Sequence, residues 1–148
     1  MSTPNKTGLA FEQRCISILK EHRDCVQAQA TVRVSKNKSY KPDAVTDTEL
    51  FEFKYQQVEG SVASKLTQAI IALQLMFEKT ELKPYLVYDG KKLQRFIEHD
   101  PAFIRALTIC PAVTLFTFEQ FYDYVTASTD CNDREQEGYV EHTTACAV

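Results

Sequence analysis

Three residues of one short segment have the types and the spacing to do chemistry. Asp43 follows Pro42, and eight residues later the chain writes Glu52-Phe53-Lys54 inside the apolar run "ELFEFKY". Side chains two apart on a strand share a face, so Glu52 and Lys54 point one way while Phe51 and Phe53 point the other. Charges on one face of a phenylalanine-rich strand either meet water in a cross-strand ion pair of little energetic value or form a site. Asp43, on the preceding strand, reaches the same face. Two carboxylates with a backbone carbonyl are the donor set of Mg²⁺, which keeps several waters and takes the rest of its octahedron from substrate phosphate. A lysine beside such a cation orients or deprotonates an attacking water and balances charge on a phosphorane.

The elements that must position these residues follow from periodicity. Residues 8–23 read as a helix in which Leu9, Phe11, Cys15, Ile16, Ile18 and Leu19 share one arc. Glu12 falls inside that arc, where an unpaired carboxylate is costly to desolvate, so it requires a partner. "CVQAQATVRV", residues 25–34, alternates like a half-buried strand. A polar run follows, and then 43–55 reads as two strands joined at Thr46-Asp47-Thr48. A second helix, 61–79, carries Val62, Leu66, Ala69, Ile70, Leu73, Met76 and Phe77 on one face, with Lys65 and Gln68 at its edge. "YLVYDG" is a strand, "KKLQRFIEHDPAFIRAL" is helical with a break at Asp100-Pro101, 112–118 is the last strand, and an amphipathic helix runs through Phe118, Phe121, Tyr122 and Val125. From Ala127 periodic apolar content fades, and a mobile acidic tail is expected. The order predicts an α/β fold, a mixed β-sheet flanked by helices, with residues 1–127 as one domain and 128–148 as the tail.

Pro42-Asp43, the eight-residue spacer and Glu52-Phe53-Lys54 together resemble the PD-(D/E)XK nuclease superfamily. The likeness covers roughly residues 8–118, and it implies a restriction-endonuclease-like αβββαβ core. It also implies that Asp43 and Glu52 are metal ligands, the Phe53 carbonyl a third ligand, and Lys54 the catalytic lysine. Glu12 is similar to the acid that many members bring from the first helix, often for a second metal. Lys65 and Gln68 resemble, less specifically, the polar positions after the catalytic strand. The implied activity is endonucleolytic hydrolysis of phosphodiester bonds with Mg²⁺, or Mn²⁺ in its place, leaving a 5′-phosphate and a 3′-hydroxyl. DNA is the expected substrate, in restriction, junction-resolving, repair or phage fashion. The alternatives are an RNA-cleaving toxin-type nuclease of the same fold and a non-catalytic nucleic-acid-binding or assembly module.

Charge bears on the substrate. The chain has a net charge of −3 at pH 7, but residues 128–148 set Arg134 against Asp130, Asp133, Glu135, Glu137 and Glu141, so the part before them is nearly neutral. Arg33, Lys36, Lys38 and Lys41 crowd one segment without an acid between them, a stripe suited to phosphates. A homodimer or a DNA-binding partner protein would supply further positive charge. Five scattered cysteines form no metal motif or disulfide framework, so a reducing cytoplasm is expected. The three histidines lack ligand spacing, and no run is apolar enough to span a membrane. With four isolated glycines there is neither a dinucleotide loop nor a P-loop.

Overall fold

The computed structural model describes residues 4–55 and 62–135. Its element order is α1 (Pro4–His22), β1 (Gln27–Ala28), β2 (Val32–Ser35), β3 (Lys38–Tyr40), β4 (Ala44–Val45), β5 (Glu49–Tyr55), α2 (Val62–Thr80), β6 (Lys83–Asp89), α3 (Lys91–His99), α4 (Pro101–Ile109), β7 (Thr114–Thr117) and α5 (Phe118–Glu135). Five strands make one sheet in the order β1-β4-β5-β6-β7, and β2 and β3 pair in a separate antiparallel ribbon. β1, β4 and β5 are antiparallel neighbours, while β5, β6 and β7 run parallel. The fold is therefore mixed α/β, a mixed sheet flanked by helices, as expected.

Each helix covers the sheet with the stripe its sequence supplies. On one face Phe11, Cys15 and Leu19 of α1, four residues apart, join Phe121 and Val125 of α5 and the inward side chains Phe51, Phe53, Tyr85 and Val87. On the other, Leu66, Ile70, Leu73 and Met76 of α2 meet Leu50 and Leu86, with Leu93, Ile97 and Phe103 of α3 and α4 closing the layer. β6, covered on both sides, is buried from Pro84 to Tyr88, the continuous apolar run typical of a central parallel strand. Asp100 divides α3 from α4 as expected: its carboxylate caps the Phe103 N–H at 2.9 Å, and Pro101 occupies the first helical turn.

Five expectations are corrected. Residues 25–34 do not make one strand, because Gln29 takes the left-handed conformation (φ 60°) and separates β1 from β2. The polar run after it is a hairpin, in which Val32, Val34 and Tyr40 pack against the core and the remaining side chains face water. Leu9 leaves the apolar arc of α1 and is 53% exposed. Cys25 is disulfide-bonded, whereas Cys15 and Cys110 are free and buried. The segment assigned to the tail is helical through Glu135, and residues 136–148 lie outside those described. No helix among the described residues is long and apolar enough to cross a membrane.

At the N-terminal end of β5, Glu49 is only 3% exposed and fully engaged. Arg23 meets it with two parallel contacts of 3.0 Å, Thr46 donates at 2.8 Å, and Tyr124 donates to the second oxygen. Arg23 also donates to the Val125 carbonyl, so this cluster ties the end of α1, the β4–β5 turn and α5 together. A buried carboxylate is tolerated because every oxygen is paired.

Candidate active site

The site arises because β4 stops early. β4 has two residues against seven in β5, and its ladder ends at the pair Ala44 and Phe51. Continuing that antiparallel register sets Asp43 opposite Glu52, at a point where the edge of β5 has lost its partner strand. The Asp43 side chain takes over the ladder: its Oδ2 accepts the Phe53 backbone N–H at 2.8 Å. An extended residue turns its N–H and C=O toward the same edge, so the Phe53 carbonyl faces this carboxylate as well. The Phe53 ring points the opposite way, into the core, and is 5% exposed.

Glu52 and Lys54 share the other face of β5, and their charged ends meet at 3.0 Å with side chains 18% and 33% exposed. Glu12 reaches the cluster from α1. Its Oε2 accepts the Gln29 side-chain amide at 3.1 Å, and the same Nε2 donates to Asp43 Oδ1 at 3.4 Å. Glu12, Asp43, Glu52 and Lys54 are therefore drawn together, as the sequence implied, and the partner that Glu12 required is Gln29. Gln29 is the member that sequence reasoning missed, and only an interruption of the β1–β2 alternation would have signalled it.

The electrostatics carry an excess of negative charge. Burial, and after it the Asp43 charge, pushes the Glu52 carboxyl up to about 7, against the pull of Lys54. Burial also raises Asp43, although the Phe53 N–H, Lys54 and Gln29 oppose it. Glu12 is raised by burial and by Asp43. For Lys54, burial alone would favour the neutral amine, but Glu52, Asp43 and Glu12 outweigh it and hold the group charged, above its usual range. Three acids thus surround one cation, and burial is the largest cause that holds each of them above its ordinary value.

Among the described residues, no three His, Cys, Asp or Glu side chains form a group ready to hold a metal ion. Asp43, Glu52 and the Phe53 carbonyl, two carboxylates and a backbone oxygen, are the smaller donor set that the sequence resemblance implies for Mg²⁺.

The four basic residues of the sequence stripe fall on or beside the β2–β3 hairpin, and Arg33, Lys36, Lys38 and Lys41 are all exposed. Arg33 donates to the Lys36 carbonyl at 2.8 Å across the turn, and the Lys38 ammonium lies 5.0 Å from the centre of the Tyr40 ring. Because the apolar side of the hairpin is packed on the core, the basic side is presented on a fixed support that leads through Lys41-Pro42 directly to Asp43. Lys65 and Gln68 lie exposed on the first half of α2. Comparison with protein-family models, with curated proteins and with solved structures finds no match.

Proposed function

We propose that the chain is a Mg²⁺-dependent endonuclease that hydrolyses phosphodiester bonds of nucleic acid, DNA in the first place, with the PD-(D/E)XK architecture its motif resembles. The observation that carries this reading is the convergence of Asp43, Glu52 and Glu12 on the charged Lys54 at the open edge of β5. Asp43, Glu52 and the Phe53 carbonyl would hold the cation, which would supply positive charge against the scissile phosphate. Glu12 completes the acidic cluster. Lys54, kept protonated, donates hydrogen bonds that orient the attacking water in line with the leaving oxygen and offsets charge on the phosphorane. Arg33, Lys36, Lys38 and Lys41 grip the backbone, and Lys65 and Gln68 extend that track; such contacts position a substrate and specify no sequence.

The test is cleavage of duplex, branched and single-stranded DNA and of transfer RNA, with Mg²⁺ and with chelator, by the wild type and by Asp43→Asn. Metal-dependent cleavage of DNA that disappears in the folded variant is the expected result. Cleavage confined to RNA would move the assignment to the toxin-type alternative. A folded wild type that binds nucleic acid and cuts none of these substrates would make it a binding module.

A further inference from the structure

Gln29 is one of two described non-glycine residues with positive φ, and it alone of that pair touches the carboxylate cluster. Left-handed backbone at a residue with a Cβ costs on the order of 1 kcal/mol and persists where surrounding contacts over-determine it. Here they do. The Gln29 backbone N–H donates to the Asp43 carbonyl at 3.2 Å, which fastens the end of β1 beside the ladder. From that anchor the side-chain amide offers its two hydrogens to two carboxylates on different elements, Glu12 of α1 at 3.1 Å and Asp43 at 3.4 Å. A carboxylate has only acceptors, so two that are brought close repel unless a donor or a cation lies between them. Gln29 is exposed, and the bonds that hold it are the backbone bond to Asp43 and the two side-chain bonds to the acids.

The geometry points to Gln29 as a positioning residue of the catalytic centre: its amide holds the Glu12 carboxylate against Asp43 and so pre-forms the acidic cluster before a cation arrives. This rests on the nuclease reading above. Donors behind ligating groups usually matter about 10–100-fold to metal affinity or activity. Gln29 acts through Glu12 and Asp43 and touches no reacting atom.

The test uses the full chain and Mn²⁺ alone, with free ion measured by electron paramagnetic resonance, beside the metal dependence of cleavage. Gln29→Met keeps the length of the side chain and removes both donors. Gln29→Gly removes the donors and the backbone strain together, and is expected to fold at least as stably as the wild type. In both, the Mn²⁺ dissociation constant should rise by about 10–100-fold. In a Glu12→Gln background the effect of Gln29→Met should shrink, because one of the two carboxylates through which the residue acts is gone. A merely structural glutamine would lower thermal stability in Gln29→Met and leave ion affinity unchanged in Gln29→Gly. A wild type that binds Mn²⁺ and cuts, with affinities unaltered in both variants, would overturn the positioning role alone. A wild type that neither binds Mn²⁺ nor cuts would overturn the nuclease reading, and this role with it.

Discussion

The Asp43 carboxylate replaces a strand: with β4 ended at Ala44, its Oδ2 satisfies the Phe53 N–H at 2.8 Å and closes the ladder one step further. A structural acceptor that is also, on the proposed reading, a metal ligand can have its two roles separated by mutation. Asp43→Ala leaves a part-buried N–H unpaired and should cost about 1–3 kcal/mol. Asp43→Asn keeps an acceptor at the same place and should cost little, yet both should abolish cleavage. Chemical denaturation alongside the nuclease assay checks this, and an Asp43→Asn protein that still cuts would remove Asp43 from the site.

The same substitution has a spectroscopic consequence. Burial is the larger cause of the raised Glu52 pKa, and the Asp43 charge is the second. In Asp43→Asn the Glu52 carboxyl should therefore titrate below about 7 but above its ordinary 4.5, since the burial remains. Carbon-detected NMR titration of the side-chain carboxyl reads this directly. An unchanged Glu52 titration would mean that the two carboxylates do not interact.

The site opposes stability in a pH-dependent way. A carboxyl whose pKa is higher folded than unfolded binds its proton more tightly in the folded state, so stability is greatest below the unfolded value and declines as pH rises through the window from 4.5 to about 7. Glu52→Gln removes that decline. It should stabilise the protein by on the order of 1–3 kcal/mol at pH 8 and have little effect at pH 4, while eliminating cleavage. Equal effects at the two pH values would show that Glu52 ionises normally.

Much of this arrangement was legible in the chain, and the limits are physical. Period-two alternation set Glu52 and Lys54 against Phe51 and Phe53, and helical periodicity put Glu12 on a buried arc where it needed a donor. Both signals are local, and both survive folding because burial enforces them. Gln29 was hidden for the opposite reason: "VQAQATV" alternates cleanly, and a left-handed backbone at a residue other than glycine leaves no mark in composition. The basic hairpin was obscured because its strands bury only Val32, Val34 and Tyr40, too few to stand out from a polar loop. Arg23, Glu49 and Tyr124 lie 26 and 75 positions apart, and only tertiary packing brings them together.

That buried cluster predicts a second pH dependence of opposite sign. Burial alone would raise the Glu49 pKa, but Arg23, Tyr124 and Thr46 outweigh it and hold the carboxyl below its usual range. Its stabilisation is present above the unfolded 4.5 and is lost as pH falls through the lower folded value. With Glu52 opposing stability above that window and Glu49 failing below it, the wild type should be most stable at about pH 5. Arg23→Met, which strands a buried charge, should cost about 3–5 kcal/mol at neutral pH and flatten the acid limb. Thermal unfolding across pH 3–9 measures both limbs: a wild-type maximum at pH 8 would contradict the assignment of Glu52, and an acid limb unchanged in Arg23→Met would contradict that of Glu49.

The basic hairpin yields a prediction independent of catalysis. Phosphate contacts release counterions, so the logarithm of affinity falls linearly with the logarithm of salt, by about 0.9 for each neutralised phosphate on duplex DNA and about 0.7 on single strands. Arg33, Lys36, Lys38 and Lys41 are exposed on a hairpin whose other side is packed on the core, so truncating them leaves the fold untouched. In an Asp43→Asn background, which keeps the substrate intact, Lys36→Ala with Lys38→Ala should reduce the salt slope by about 2 on duplex and weaken binding equally for unrelated sequences. Fluorescence anisotropy over a salt series resolves this. An unchanged slope would place the phosphate track elsewhere, whereas a loss confined to one sequence would make the hairpin a reader of bases and overturn its assignment as a phosphate grip.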